Sequence, residues 1–399
     1  MNPQIKLYNS NRPIKVMHIV GARPNFMKVS PLMREMSRYT QQFDQLLLHT
    51  GQHYDEEMSQ IFFDDLGLPV PDIYLGVGSG SHAEQTGKIM IEFERVCLQK
   101  NPDLVIVVGD VNSTIACALV AAKLWIPLAH IEAGLRSFDR TMPEEINRLL
   151  TDQISDYLFT TCEAANQNLI KEGIPDNKIF FAGNTMIDTL LSHTKIAKNS
   201  IILENLGLRK NNNIKKYAIV TIHRPSNVDN PKILKGILNA LNELAREIPI
   251  IFPAHLRTIK QIKNFKLQEM VNYEENFLSK GLNNTNRNIL AIPPLGYLDF
   301  LCLMSNAAIV LTDSGGIQEE TTILGIPCLT LRNNTERPIT VKEGTNIVVG
   351  NNPDKIMNTA ISVLKNGISR KKIPQYWDGK AAERIIKVIS SNLSSSNIV

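Results

Sequence analysis

What the 399-residue chain lacks narrows it first. No window stays apolar long enough to cross a bilayer, and the opening MNPQIKLYNSNRPIK is polar with no continuous apolar h-region. The expectation is a soluble, cytoplasmic protein. The five cysteines (Cys97, Cys117, Cys162, Cys302, Cys328) are odd in number, show no Cys-x-x-Cys spacing and sit in apolar contexts. They read as buried thiols of a reducing compartment, not as a disulfide framework or metal ligands. A large charge excess is also missing. The net charge is +4 with basic and acidic residues interleaved, so neither a nucleic-acid groove nor an anionic membrane is indicated. A local anion site stays open. There is no short-period repeat and no long low-complexity stretch, and the terminal SSNLSSSNIV reads as a frayed tail.

What is present is a series of short apolar runs rich in β-branched residues. KVMHIV (15–20), QLLLHT (45–50), LVIVVG (104–109), LAHIE (128–132), YLFTT (157–161) and IFFAG (179–183) alternate with helix-length segments such as STIACALVAAKL (113–124). After the polar LRKNNNIKK the series restarts with YAIVTIH, PIIFPAH, NILAIPP, AIVLTD, PCLTL and NIVVG. This alternation predicts an α/β protein of two Rossmann-like, doubly wound parallel-sheet domains. Such domains facing one another would leave a cleft at the carboxyl ends of their strands, so strand-end motifs carry the functional argument.

Several strand ends carry polar residues. VGARPNFMK places Arg23 and Lys28 near a helix start, where two cations suit a diphosphate or carboxylate; a solvated basic pair is the plain alternative. GVGSGSHAEQTG contains Gly78-x-Gly80-x-x-Ala83, but it is not in a first strand-to-helix turn and reads better as a loop whose Ser81 caps a helix. Asp110 follows the strand in VVGDVNST, where an N-cap would explain it, with Ser113 or Thr114 serving equally. Glu132, at the strand end in HIEAGLRSF, is harder to explain as a cap. In TMPEEINR, Thr141-x-x-Glu144 fits a capping box and Glu144 with Arg148 an i,i+4 ion pair. Singly these acids read as structural; converging, they would suit proton transfer. His223 and His255 end the first two strands of the second series. In LTDSGGIQEE a strand, a glycine turn at Ser314, Gly315 and Gly316, and a helix follow in order. Backbone N–H groups there can approach phosphate oxygens, and Glu320 can accept from ribose hydroxyls.

Taken in order, GARPNFMK, TGQHYDEEM, VVGDVNST, HIEAGLRS, PEEINR, HRPSNVDNP, LTDSGGIQEE and TERP resemble the non-hydrolysing UDP-N-acetylglucosamine 2-epimerases over residues 15 to 390. The resemblance implies the two-domain glycosyltransferase-B (GT-B) arrangement: residues 1–182 as the N-terminal domain, 183–375 as the UDP-binding domain, and 376–399 crossing back onto the first. It implies Arg23 and Lys28 near the diphosphate, Asp110, Glu132 and Glu144 as catalytic acids, and His223 as the active-site histidine. Phe300 would lie near the uracil, Ser314, Gly315 and Gly316 at the diphosphate, Glu320 at the ribose and Arg337 elsewhere in the nucleotide site. Gln52 and His255 would contribute to an allosteric UDP-GlcNAc site. The chain departs from common bacterial members at HRPS and at QHYDEEM, the latter in the activator region. A homodimer is also implied, with no cofactor: the reaction is redox-neutral and calls for neither NAD nor metal.

The family's chemistry is elimination of UDP across C1–C2 to a 2-acetamidoglucal, then readdition with the proton delivered to the other face. Several acids are needed for two faces, and cations must hold the departing UDP. Three alternatives stand beside UDP-GlcNAc epimerisation: epimerisation of a UDP-2,3-diacetamido-glucuronic acid, glycosyl transfer on the same fold, or non-catalytic nucleotide-sugar sensing.

Overall fold

The computed structural model describes residues 12–52, 56–211, 213–275, 289–368 and 372–395. His53–Asp55 of the TGQHYDEEM motif and residues 396–399 of the expected tail lie outside them. The chain divides into two compact units, one running up to Thr189 and resuming at Gln375, the other Leu190–Pro374. Residues 183–189, read from sequence into the second domain, lie in the first unit. The reason is local: Asp188, on the helix Thr185–Ala197, accepts the backbone N–H groups of Ala381 (3.1 Å) and Ala382 (2.8 Å), at the start of the last helix.

Unit 1 carries a seven-stranded parallel sheet in the order β3-β2-β1-β4-β5-β6-β7: β1 Ile14–Val20, β2 Phe43–His49, β3 Ile73–Tyr74, β4 Leu104–Val108, β5 Leu128–Ala133, β6 Tyr157–Thr160 and β7 Ile179–Phe181. Every residue of β4 (LVIVV) is buried, as a strand covered by helices on both faces requires. The helix Asn112–Lys123 is apolar on most sides because it packs between the sheet and neighbouring helices. Ser81 caps the helix His82–Lys100 and forms a reciprocal capping box with Glu84, so the glycine-rich loop before it is a helix start. Only the two-residue edge strand β3 precedes that loop.

The last helix, Ala381–Ser395, runs through most of the segment read as a frayed tail. Ile385, Ile386, Ile389 and Leu393 recur at helical spacing and are buried, and the helix packs on Arg23–Met36. Apolar periodicity outweighed the serine-rich composition. The five cysteines are buried and form no disulfide.

Unit 2 repeats the plan in the order β12-β13-β11-β10-β14-β15-β16, with β10 Ala218–Thr221, β11 Ile250–Pro253, β12 Asn272–Tyr273, β13 Ile289–Ile292, β14 Ile309–Thr312, β15 Cys328–Thr330 and β16 Asn346–Val348. A small hairpin of β8 (Arg209–Lys210) and β9 (Asn213–Ile214) stands apart. In both sheets the order reverses beside the first strand, between β1 and β4 and between β10 and β14. Ligands of doubly wound folds bind outside the strand ends at such a switch point. The polar strand-end motifs fall there.

Candidate active site

In unit 1 the loops after β1, β4 and β5 form one hydrogen-bonded group. Asn25 joins the first two: its Oδ1 accepts from Gly21 N (3.1 Å) and Ala22 N (3.0 Å), while its Nδ2 donates to the Val108 carbonyl (3.1 Å). Lys28, one turn on, is 4% exposed and holds its ammonium 2.8 Å from the Glu132 carboxylate, itself 4% exposed. The lysine that the resemblance places beside a diphosphate therefore neutralises a buried carboxylate in this structure. Glu132 stands at a register shift in β5 with φ of +74°, a left-handed conformation that a non-glycine residue adopts at a cost. Arg23 is half-buried, with its guanidinium 5.6 Å from the Phe62 ring.

Asp110 does not cap the helix after β4. The N-cap is Val111, without a side-chain bond, and Asp110 instead pairs with Arg148. Ser113 Oγ donates to Gln52 Oε1 (2.6 Å) and Thr114 Oγ1 to the Val108 carbonyl (2.9 Å), so neither serves as the cap. Arg148 is fully buried and also binds Glu145 at 2.7 Å. Glu145 accepts Ser137 N and Phe138 N at 2.9 Å each. Burial alone would raise its pKa, but those N–H groups and Arg148 hold it below the usual carboxylate range. The expected capping box is absent. The N-cap of the helix Pro143–Ile154 is Met142, and Thr141, one residue earlier, donates to Asp139. The ion pair at i,i+3 from Glu145 thus takes the place expected of Glu144 with Arg148. Glu144 itself is half-buried in the helix's first turn.

In unit 2 the switch point gathers around Asp313, which is fully buried at the end of β14. Its carboxylate accepts His223 N (3.0 and 3.1 Å), Arg224 N (2.9 Å) and Asn227 Nδ2 (3.1 Å), and lies 3.1 Å from His223 Nδ1. Burial pushes this acid's pKa up, but His223, Arg224 and Asn227 pull it further down, so it stays ionised. His223 is thereby fixed through Nδ1, leaving its other ring nitrogen directed away from the carboxylate. His255 is exposed, caps the helix Leu256–Asn264 through Nδ1 (3.2 Å to Arg257 N), and has its ring centroid 6.3 Å from that of His223.

Ser314 is the N-cap of the helix Gly315–Leu324 and makes no side-chain cap bond. A side chain at Gly315 would bring its Cβ to 2.7 Å from Glu336 Oε1, so anything larger than glycine must displace that carboxylate or the turn. Glu336 pairs with Arg332 (2.7 Å), and Arg337 with the fully buried Glu319 (2.7 Å). Glu320 accepts from Tyr297 Oη at 3.0 Å. Its burial lifts its pKa, the Tyr297 bond lowers it and Glu319 raises it, leaving it at about 7. Phe300 is half-buried on the helix Tyr297–Ser305.

Sequence reasoning missed Asn25, Glu145 and Asp313 as organisers of these loops. Asp313 had a readable signal, since it directly follows β14, much as Asp110 follows β4 by two residues. Glu145 had none beyond its adjacency to Glu144.

A sequence profile described as UDP-N-acetylglucosamine 2-epimerase matches residues 35–390. A UDP-N-acetylglucosamine 2-epimerase of Methanocaldococcus jannaschii is 46% identical over 388 residues, covering 94% of this chain and 99% of its own. A UDP-2,3-diacetamido-2,3-dideoxy-D-glucuronate 2-epimerase of Pseudomonas aeruginosa is 39% identical over 380 residues, covering 94% and 99%. The crystal structure of the M. jannaschii UDP-GlcNAc 2-epimerase in complex with UDP-GlcNAc and UDP superposes with a TM-score of 0.85 at 45% identity, over 95% of this chain and all of that one. The chain therefore belongs to the UDP-N-acetylglucosamine 2-epimerase family.

Proposed function

We propose that this protein interconverts UDP-GlcNAc and UDP-ManNAc without hydrolysing either. The observation that carries the reading, in a chain of this family, is a pair of charge-held carboxylates at neighbouring strand ends of unit 1: Glu132 on Lys28 and Asp110 on Arg148. The C2 proton of an N-acetylhexosamine has no adjacent carbonyl, so simple deprotonation gives an unstabilised anion. Elimination avoids it. As a carboxylate takes the C2 proton, that bond's electrons form the C1–C2 double bond and the C1–O bond breaks toward UDP. Readdition reverses the electron flow, with a second acid returning a proton to the opposite face.

Asp110, Glu132 and Glu144 are the acids of this scheme. Unit 2 retains the leaving UDP. Ser314, Gly315 and Gly316 offer hydroxyl and N–H donors to the diphosphate, and Arg23, His223 and Arg337 supply positive or donor groups. Phe300 lies against the uracil and Glu320 accepts from the ribose. Lys28 acts by pairing with the Glu132 carboxylate and fixing its place. Gln52 and His255 form part of an activator site for a second UDP-GlcNAc, the working assembly is a homodimer, and the product supplies surface polysaccharide synthesis in the cytoplasm.

The test is incubation of the purified protein with UDP-GlcNAc in D₂O, followed by proton NMR. Deuterium at C2 together with UDP-ManNAc is the expected result. The relative acting on the diacetamido glucuronate sugar supports a second reading, in which the mechanism is kept and the sugar changed. No exchange with UDP-GlcNAc, even with excess as activator, and exchange with that uronate would select it. Exchange with neither would overturn the epimerase reading in favour of transfer or sensing.

A further inference from the structure

Beneath the two acid-bearing loops of unit 1 lies a histidine that the scheme above does not use. His130, in the middle of β5, is wholly buried with both ring nitrogens engaged. Nε2 lies 2.8 Å from the Gly109 carbonyl and Nδ1 lies 2.6 Å from Asp152 Oδ1. A carbonyl oxygen only accepts, so Nε2 carries the proton of the first bond. Asp152 is itself fixed on its other oxygen by Gly134 N (3.1 Å) and Arg136 (2.7 Å). The ring is thus tied to a residue on each side of the acids: Gly109 precedes Asp110, and Gly134 follows Glu132 by two.

Gly109 is the point through which such a tie acts on both acids. Its φ is +68°, and a Cβ there would lie 2.9 Å from Lys28 Nζ and 4.0 Å from Glu132 Oε1. A shift of this peptide would carry Asp110 with it and press on, or release, the Lys28–Glu132 pair. The contrast within the same sheet is His18 on β1. It is equally buried, its ring bonds only to the Gln45 side chain, and burial lowers its pKa to about 4. That is what a histidine serving only the core looks like.

We propose that His130 is a positioning residue for the epimerase reaction, its Nε2–H bond to Gly109 setting the placement of Asp110 and of the Lys28–Glu132 pair. The inference rests on the reading of the preceding subsection. The test compares two amides. In His130→Gln the longer side chain can still donate to the Gly109 carbonyl; in His130→Asn it reaches only the Asp152 side. The expected result is kcat for C2 exchange within about tenfold of wild type for His130→Gln and about a hundredfold lower for His130→Asn, the scale of a 1 Å misplacement. UDP affinity by calorimetry, to which unit 2 contributes most of the proposed groups, should be unchanged in both. A purely structural histidine would give two variants of lowered melting temperature and equal kcat per folded molecule, and that outcome overturns the proposal. Should His130→Asn not fold, His130→Phe, which keeps the ring volume and loses both bonds, is read in its place with the same expectation. Absence of exchange in the wild-type protein would defeat the epimerase reading and this inference with it. Exchange in wild type with equal kcat in the variants defeats the inference alone.

Discussion

At the scale of the residue, the site's electrostatics rest on carboxylates that each have a specific, named partner. Lys28 and Glu132 are each almost fully buried, and removing one partner of such a pair leaves the other's charge without its main compensation. Lys28→Met is therefore expected to destabilise unit 1 by about 3–5 kcal/mol in urea unfolding. Adding Glu132→Gln should restore much of that stability without restoring activity. Glu320 is the opposite case, an acid whose pKa is raised to about 7 mainly by burial. Ribose hydroxyls would donate to its ionised form, so on the proposed role UDP affinity rises with pH through that value and falls below it. The Tyr297 bond lowers this pKa, so Tyr297→Phe moves the midpoint upward, by about one unit for a hydrogen bond to a charged group. Calorimetric titration with UDP from pH 5.5 to 8.5 reads the shift; an unmoved midpoint would separate Glu320 from nucleotide binding. The sign for folding is the reverse. A raised acid pKa contributes stability that is full below about 4.5 and is lost as pH climbs through about 7, so Glu320→Gln should flatten that slope.

At the scale of the element, the alternation of short β-branched runs with helical segments located the main strands of both sheets, because a strand buried on both faces must be apolar throughout. What escaped were the two-residue strands β3, β8, β9 and β12, too short to carry a pattern, and the run of the last helix into the serine-rich segment read as a tail, whose serines masked the apolar stripe. The site was legible as strand-end positions and illegible as pairings. Lys28 and Glu132 are 104 residues apart, His223 and Asp313 are 90, and nothing local in either motif names its partner. Glu144 and Glu145 show the limit in miniature: both satisfy the acidic first turn of a helix, and only packing decides which one meets Arg148. The turn opening the helix Gly315–Leu324 is the element most exposed to a small change. Gly315→Ala brings a methyl to 2.7 Å from Glu336 Oε1, so the turn or the Arg332–Glu336 pair must shift. The expectation is a loss of UDP affinity of tenfold or more, about 1.4 kcal/mol, with the thermal transition of unit 2 little moved. Equal UDP affinity in the variant would remove this turn from the nucleotide site.

At the scale of the whole molecule, the chain leaves unit 1 after Thr189, builds unit 2 as one continuous stretch, and returns at Gln375. The returning segment is integral to unit 1. Trp377, almost fully buried, donates from Nε1 to the Thr161 carbonyl (2.9 Å), and Asp188 receives the first N–H groups of the last helix. Gly183, at φ +94°, lies so close to Tyr376 that a Cβ would fall 2.1 Å from its carbonyl oxygen. Unit 2 has its own core, in which the helices Pro231–Leu244 and Pro353–Asn366 cover the sheet from within the same stretch. The two units therefore differ in what they need from the C-terminus. Ending the chain after Pro374 strips unit 1 of the buried faces of Trp377, Ile385, Ile386, Ile389 and Leu393, each worth about 1.5–3 kcal/mol when fully covered. A loss of that size exceeds or matches the whole stability of an ordinary domain. The shortened protein is expected to keep one cooperative calorimetric transition, that of unit 2, and to retain UDP binding, while unit 1 loses its transition and C2 exchange disappears. Two intact transitions after truncation would mean that unit 1 is sustained by its first 189 residues. Loss of both would mean that unit 2 depends on unit 1 in a way its continuous core does not suggest.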